Sequence, residues 1–154
     1  DPEMHQTKKG QQWYFGMKGH FGVDSRSKLI HSVEVTPANI HDAHVLPWLL
    51  HGEERSVWGD SAYAGQAAIL SVCAPHARDF INRRARTDEM RATNRWKSHV
   101  RARVEHPIGV IKRVFGFTKV RYRGLRKNRH RLVVACALAN IFMMRRRLLR
   151  LQEA

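Results

Sequence analysis

The chain has 154 residues and 43% hydrophobic content, enough for one domain with a genuine core, and a formal charge of +15 with a pI near 11.0. Two isolated cysteines, Cys73 and Cys136, lack CxxC spacing; they exclude a disulfide framework and a cysteine zinc site and fit a reducing cytoplasm. The longest apolar stretch, Leu132 to Met144, is broken by Asn140 and falls short of the roughly 20 residues a membrane-crossing helix needs.

Charge is unevenly distributed. Residues 1–82 carry 7 Lys and Arg against 9 Asp and Glu, whereas residues 83–154 carry 21 against 4. The cations are spread over several segments rather than gathered in one tail. That pattern points to a polyanionic partner, nucleic acid ahead of membrane, with a merely basic soluble surface as the alternative.

In chain order, residues 1–12 are polar and read as a loop or arm, and the opening Asp1-Pro-Glu-Met reads as that of a fragment. Trp13 to Asp24 alternates: Trp13, Phe15, Met17, Phe21 and Val23 form an apolar face, and Tyr14, Lys18, His20 and Asp24 a polar one. A turn at Asp24 to Ser27 leads to a second strand, Leu29 to Thr36, pairing antiparallel with the first. A short helix follows near Ala43 to Leu50, kinked by Pro47 and ended by Gly52. Next come a strand at Arg55 to Gly59 with Asp60 at its carboxyl end, a helix near Gln66 to Val72, and a strand at Asp79 to Asn82. The order predicts a mixed α/β sheet with flanking helices. Residues 13–82 hold that sheet and its helices, 83–96 read as a basic loop, and 97–154 as a basic helical part. Within the last part Pro107 imposes a bend or a fresh helix start, 117–123 alternates weakly with Lys119, Arg121 and Arg123 to one side, and a terminal helix runs near Arg129 to Leu151.

Three residues carry the chemical argument of the helical part. On one continuous helix Arg101, Glu105 and Lys112 share nearly one face, beside an apolar stripe of Val100, Val104, Ile108, Ile111 and Phe115. A carboxylate held among cations, with Arg113 adjoining, suits metal-assisted chemistry on a nucleic acid; an i, i+4 salt bridge between Arg101 and Glu105 is the plainer reading. Asp60 and Glu105 offer oxygen ligands for magnesium, which keeps several waters and takes phosphate oxygens as well. His41, Asp42 and His44 have metal-ligand spacing but read better as capping and surface residues. Lys18 and His20 face either DNA or plain solvent, Tyr63 either packs under Asp60 or positions substrate, and Trp58 and Trp96 are either base-stacking or packing residues.

The segments Asp1-Pro-Glu-Met-His-Gln-Thr-Lys-Lys-Gly10, Gln12-Trp-Tyr-Phe-Gly-Met-Lys18, Gly59-Asp-Ser-Ala-Tyr63 and Arg101-Ala-Arg-Val-Glu-His-Pro107, in that order, resemble bacterial insertion-sequence transposases of the DDE type, in particular the insertion-sequence-five group. The resemblance spans nearly the whole chain. It implies a ribonuclease H-like mixed sheet whose second and third acids are Asp60 and Glu105 as catalytic metal ligands. It further implies magnesium, with manganese as a substitute. Arg101, Glu105 and Lys112 match three parts of a Tyr, Arg, Glu, Lys signature, and Ser98 stands at the Tyr position. The family's first acid lies on a strand upstream of Asp1-Pro-Glu-Met, so the resemblance implies a C-terminal part of the catalytic domain with its first strand missing. Asp24 aligns with the hairpin turn rather than with that acid. The implied function is DNA transposition, cutting element ends and joining them to target DNA as a multimer, in the cytoplasm on nucleoid DNA; the alternative is a catalytically inactive DNA-binding remnant. Arg101, Lys112, Arg113, Lys119, Arg121 and Arg123 are the expected DNA contacts.

Overall fold

The computed structural model describes residues 1–153 and divides into two compact units: Asp1–Asn39 together with the chain from Val104 onward, and Ile40–Arg103. The expected α/β class holds, but the described strands form two separate sheets, a three-stranded antiparallel one in the first unit and a two-stranded parallel one in the second, rather than one mixed sheet. Among the described residues, no helix is long and apolar enough to cross a membrane.

The first unit is an antiparallel sheet of β1 (His5–Lys9), β2 (Gln12–Val23) and β3 (Ile30–Pro37), in that order, covered by α4 (Glu105–Arg113) and α5 (Leu125–Gln152). β1 is the first departure from the sequence reading. Residues 5–9, expected as an arm, pair with β2 from His5↔Gly16 to Lys9↔Gln12. The two-residue connection sets Gly10 at φ +62°, which the primed hairpin turns require and glycine supplies at little cost.

The alternation of β2 sorts differently from the expectation as well. Trp13 and Phe15 are 61% and 68% exposed, because the ribbon of β1 and the start of β2 lies outside the core. His20, placed on the polar face, is 5% exposed and shares a 2.9 Å hydrogen bond with Thr36 Oγ1. The core begins farther along, where Met17, Phe21 and Val23 pack with Ile30 and Val35 against Ile111, Leu132, Ala135, Cys136 and Ala139. Leu132, Ala135, Cys136 and Ala139 follow i, i+3, i+4, i+7 spacing, the single apolar stripe that docks α5. Gly19 permits the close approach: a Cβ there would stand 2.9 Å from Leu132 Cδ2. Asn140, which interrupts the apolar run of α5, accepts from Ile30 N at 2.9 Å and donates to Ile30 O at 2.8 Å, tying helix to strand.

The N-terminal residues also reach α5. Asp1 Oδ2 accepts from Gly124 N at 2.6 Å and Glu3 Oε2 from Leu125 N at 3.0 Å, so two carboxylates satisfy the open amides of the helix start and oppose its dipole.

The second unit is a strand–helix–strand arrangement: β4 (Ser56–Val57), α2 (Ala67–Cys73) and β5 (Arg78–Asp79), with β4 and β5 parallel. Phe80 N to Val57 O at 2.9 Å and Asn82 N to Gly59 O at 3.0 Å extend the ladder beyond the strands. Leu46, Val57, Leu70 and Ile81 form its core, joined by Leu50, Tyr63, Ile69 and Ala77. Before β4 a 3-10 turn at Asp42–Val45 leads into α1 (Leu46–Leu49), where Pro47 sits in the first turn, opening the helix rather than kinking it.

Two further expectations are corrected. Much of the expected 83–96 loop is helical: α3 (Asp88–Arg101) starts at Thr87, whose side chain accepts from Met90 N, with Asp88 and Glu89 in the first turn. The helix buries no residue fully, and its segment is dominated by polar and charged residues. A 3-10 turn at Ala102–Val104 ends one helix and α4 starts afresh at Glu105, the fresh helix start expected at Pro107, so Arg101 and Lys112 do not share one continuous helix. Pro107 is the reason, since it has no amide to give and its ring crowds the carbonyl four residues back, at Arg103. The weak strand pattern of 117–123 yields no regular structure.

Candidate functional site

β4 ends two residues before Gly59, and Asp60 takes the extended conformation that caps the 3-10 turn Ser61–Tyr63, its Oδ1 accepting from Ala62 N at 2.9 Å. The other oxygen, Oδ2, stands 3.6 Å from Arg101 Nη1 at the end of α3, with both side chains partly exposed. β5 brings Asn82 to the same end of the strand pair: its backbone bonds Gly59, and its Nδ2 donates to Ser98 Oγ at 2.9 Å. Lys97 Nζ donates to Ile81 O at 3.1 Å. One end of the second unit thus gathers Asp60, Asn82, Lys97, Ser98 and Arg101. Tyr63 packs beside Gly59, and burial, followed by the nearby carboxylates of Asp42 and Asp60, pushes its phenol up to about 12.

Asp60 Oδ2 and Asn82 Oδ1 are hard oxygen donors of the type magnesium takes. Asn82 Oδ1 is buried and has no hydrogen-bond partner among the described residues, so the donors fit a divalent cation in kind. Among the described residues there is, however, no group of three His, Cys, Asp or Glu side chains arranged to hold a metal ion. His41 instead accepts from Ala43 N at 3.3 Å, the capping role its spacing allowed. Asp24 accepts from Arg26 N, Ser27 N and Ser27 Oγ; hydrogen bonding by Ser27 holds its carboxyl below the usual range, fixing it as a turn residue.

Glu105 belongs to the first unit, exposed in the first turn of α4, while Asp60 and Arg101 belong to the second. Lys112 and Arg113 are exposed in the last turn of α4. Lys119, Arg121 and Arg123 are exposed on the 116–124 segment, which α5 positions from beneath. Arg131 donates to Lys119 O at 3.1 Å and lies 4.6 Å from the Phe117 ring, and Asn128 Nδ2 donates to Tyr122 O at 2.7 Å and Gly124 O at 2.8 Å. Trp58 stacks on Phe80 at 4.2 Å, and Trp96 meets both rings edge-on, so the two tryptophans are packing partners of each other.

Sequence reasoning missed Asn82, Lys97 and Ser98 as neighbours of Asp60. Asn82 ends a segment read as a strand, and Lys97 and Ser98 open the part read as basic and helical, with Ser98 noted only as standing at the Tyr position of the signature. The chemistry this end supports is cation and phosphate binding at a carboxylate that a guanidinium partly neutralises.

No solved structure matches the chain. The family model described as a transposase DDE domain matches residues 2–141, a span that takes in Asp60, Arg101, Glu105 and the basic segment together. The chain belongs to the transposase DDE domain family.

Proposed function

We propose that the chain serves DNA transposition as the later part of the catalytic domain of an insertion-sequence-five-type DDE transposase, cutting and joining phosphodiesters with a divalent metal. The observation that supports this most is Asp60 at the carboxyl end of a parallel strand, 3.6 Å from Arg101, inside a span matched by the DDE family. Such strand ends are where open α/β sheets present their ligands. The full fold is a ribonuclease H-like sheet; a two-residue parallel pair such as β4 and β5 is short for parallel strands, which normally lie within larger covered sheets.

Asp60 and Glu105 are the metal-holding acids of this reading, and a further acid on a strand outside residues 1–154 joins them. A divalent ion held by these acids would supply activation of an attacking hydroxyl and stabilisation of the leaving oxygen. Arg101 neutralises charge beside Asp60 and passes to a phosphate when DNA arrives, while Lys112, Arg113, Lys119, Arg121 and Arg123 grip the duplex backbone. The protein acts on paired element ends and target DNA as a homo-oligomer, on nucleoid DNA in the cytoplasm.

A second reading, DNA binding without cutting by these residues alone, is favoured by the commitment of Asp24 to its turn. Nicking of supercoiled plasmid in manganese separates the two. The protein extended through the upstream strand nicks, and Asp60→Asn or Glu105→Gln abolishes nicking while DNA binding persists; residues 1–154 alone bind and leave the plasmid intact. Nicking by residues 1–154 that vanishes with Glu105→Gln places every required acid within this chain. Undiminished nicking by the extended Glu105→Gln protein removes Glu105 from the site.

A further inference from the structure

The ribbon formed by β1 and the start of β2 carries its own chemistry. Its cross-strand partners fix its faces: Lys8 opposes Trp13 and Gln6 opposes Phe15, so these four share one side, while Tyr14 and Lys9 point to the other. Trp13, Phe15 and Tyr14 are 61%, 68% and 46% exposed. Lys8 Nζ stands 5.7 Å from the Trp13 ring, and Tyr14 donates its hydroxyl to Gln12 Oε1 at 2.7 Å, so the rings are oriented rather than loose. Trp13 and Phe15 are two positions apart on one face, roughly 7 Å along the strand. From Met4 to Val23 the chain holds Lys8, Lys9 and Lys18 and no Asp or Glu.

Three exposed aromatics on a ribbon with lysines and no acids match a ligand that carries both negative charge and flat apolar faces. Edge-to-edge pairing with a second copy is opposed by Lys8 and Lys9 on the outer strand and by the like charge of two basic chains. Bases stacked within a duplex do not offer their faces, whereas unpaired bases do. We propose that the β1–β2 ribbon binds unpaired DNA, Trp13 and Phe15 stacking on bases while Lys8, on the same side, holds a phosphate. The choice of DNA over RNA rests on the transposition reading above; the site itself is independent of cleavage.

The probe is fluorescence anisotropy of labelled oligo(dT) of about 12 nucleotides, compared with a blunt duplex of equal length, for the wild-type chain and a Trp13→Ala, Phe15→Ala double variant. Both side chains are largely exposed, and far-ultraviolet circular dichroism checks that the sheet persists. Stacking predicts a loss of roughly tenfold or more on oligo(dT) and less than about twofold on the duplex. Trp13→Phe restores most of the single-strand affinity. Equal losses on both probes, a loss on the duplex alone, or no loss on either overturns the proposal. Failure of plasmid nicking leaves these outcomes unchanged.

Discussion

Glu34 shows how a single side chain links the first unit's sheet to α5. Its two oxygens accept from Arg129 Nε at 3.0 Å and Nη2 at 3.2 Å, a forked pair across the strand and helix. Burial pushes the Glu34 carboxyl up, but the Arg129 hydrogen bond and charge outweigh it and hold the group below its ordinary 4.5. A depressed carboxylate contributes stability that is complete above its unfolded value and is lost as pH falls through the folded one. Urea unfolding of the wild type therefore weakens below about pH 4.5 partly through Glu34, and Glu34→Gln flattens that acid limb; identical acid limbs would exclude the effect. Arg129 was visible in the sequence only as another cation, because its partner lies 95 residues away.

Helix α5 is the element on which most of the first unit depends. Its apolar stripe was legible from the spacing of Leu132, Ala135 and Leu138, although Leu138 is exposed and the packed positions are Leu132, Ala135, Cys136 and Ala139. Asn140 was legible only as an interruption and Asn128 not at all, since a polar residue on a helix declares its purpose through a partner that sequence does not display. Asn128 is 0% exposed and bonds Tyr122 and Gly124. Asn128→Ala costs about 2 kcal/mol in urea unfolding, by leaving those backbone groups unsatisfied. It also loosens the segment bearing Lys119, Arg121 and Arg123, read as greater proteolytic sensitivity there; unchanged stability would deny that anchor. Strands β2 to β5 were legible as elements because their apolar runs and turns are local. Strand β1 and helix α3 were not, since one is a polar ribbon and the other has no fully buried residue. Asp60 and Glu105 were legible through resemblance, and the neighbours of Asp60 only through the fold.

At the scale of the molecule, charge divides by unit. The first unit holds 18 Lys and Arg against 6 Asp and Glu, the second 10 against 7. Duplex affinity should therefore draw mainly on the first unit. Replacing Lys119, Arg121 and Arg123 by Ala lowers the slope of log affinity against log salt by about 0.9 for each phosphate contact removed. A slope unchanged by the triple variant would move the duplex interface elsewhere.

The first unit is also discontinuous, its sheet made before residue 40 and its covering helices after residue 103. During synthesis the second unit is complete while the sheet still waits for Leu132 and Ala139 to cover it. Emerging chains thus carry a bare apolar face for more than half their length. Translation halted before α5 leaves a product with a finished second unit and a first unit that has no interior, a species prone to aggregation rather than a smaller working protein.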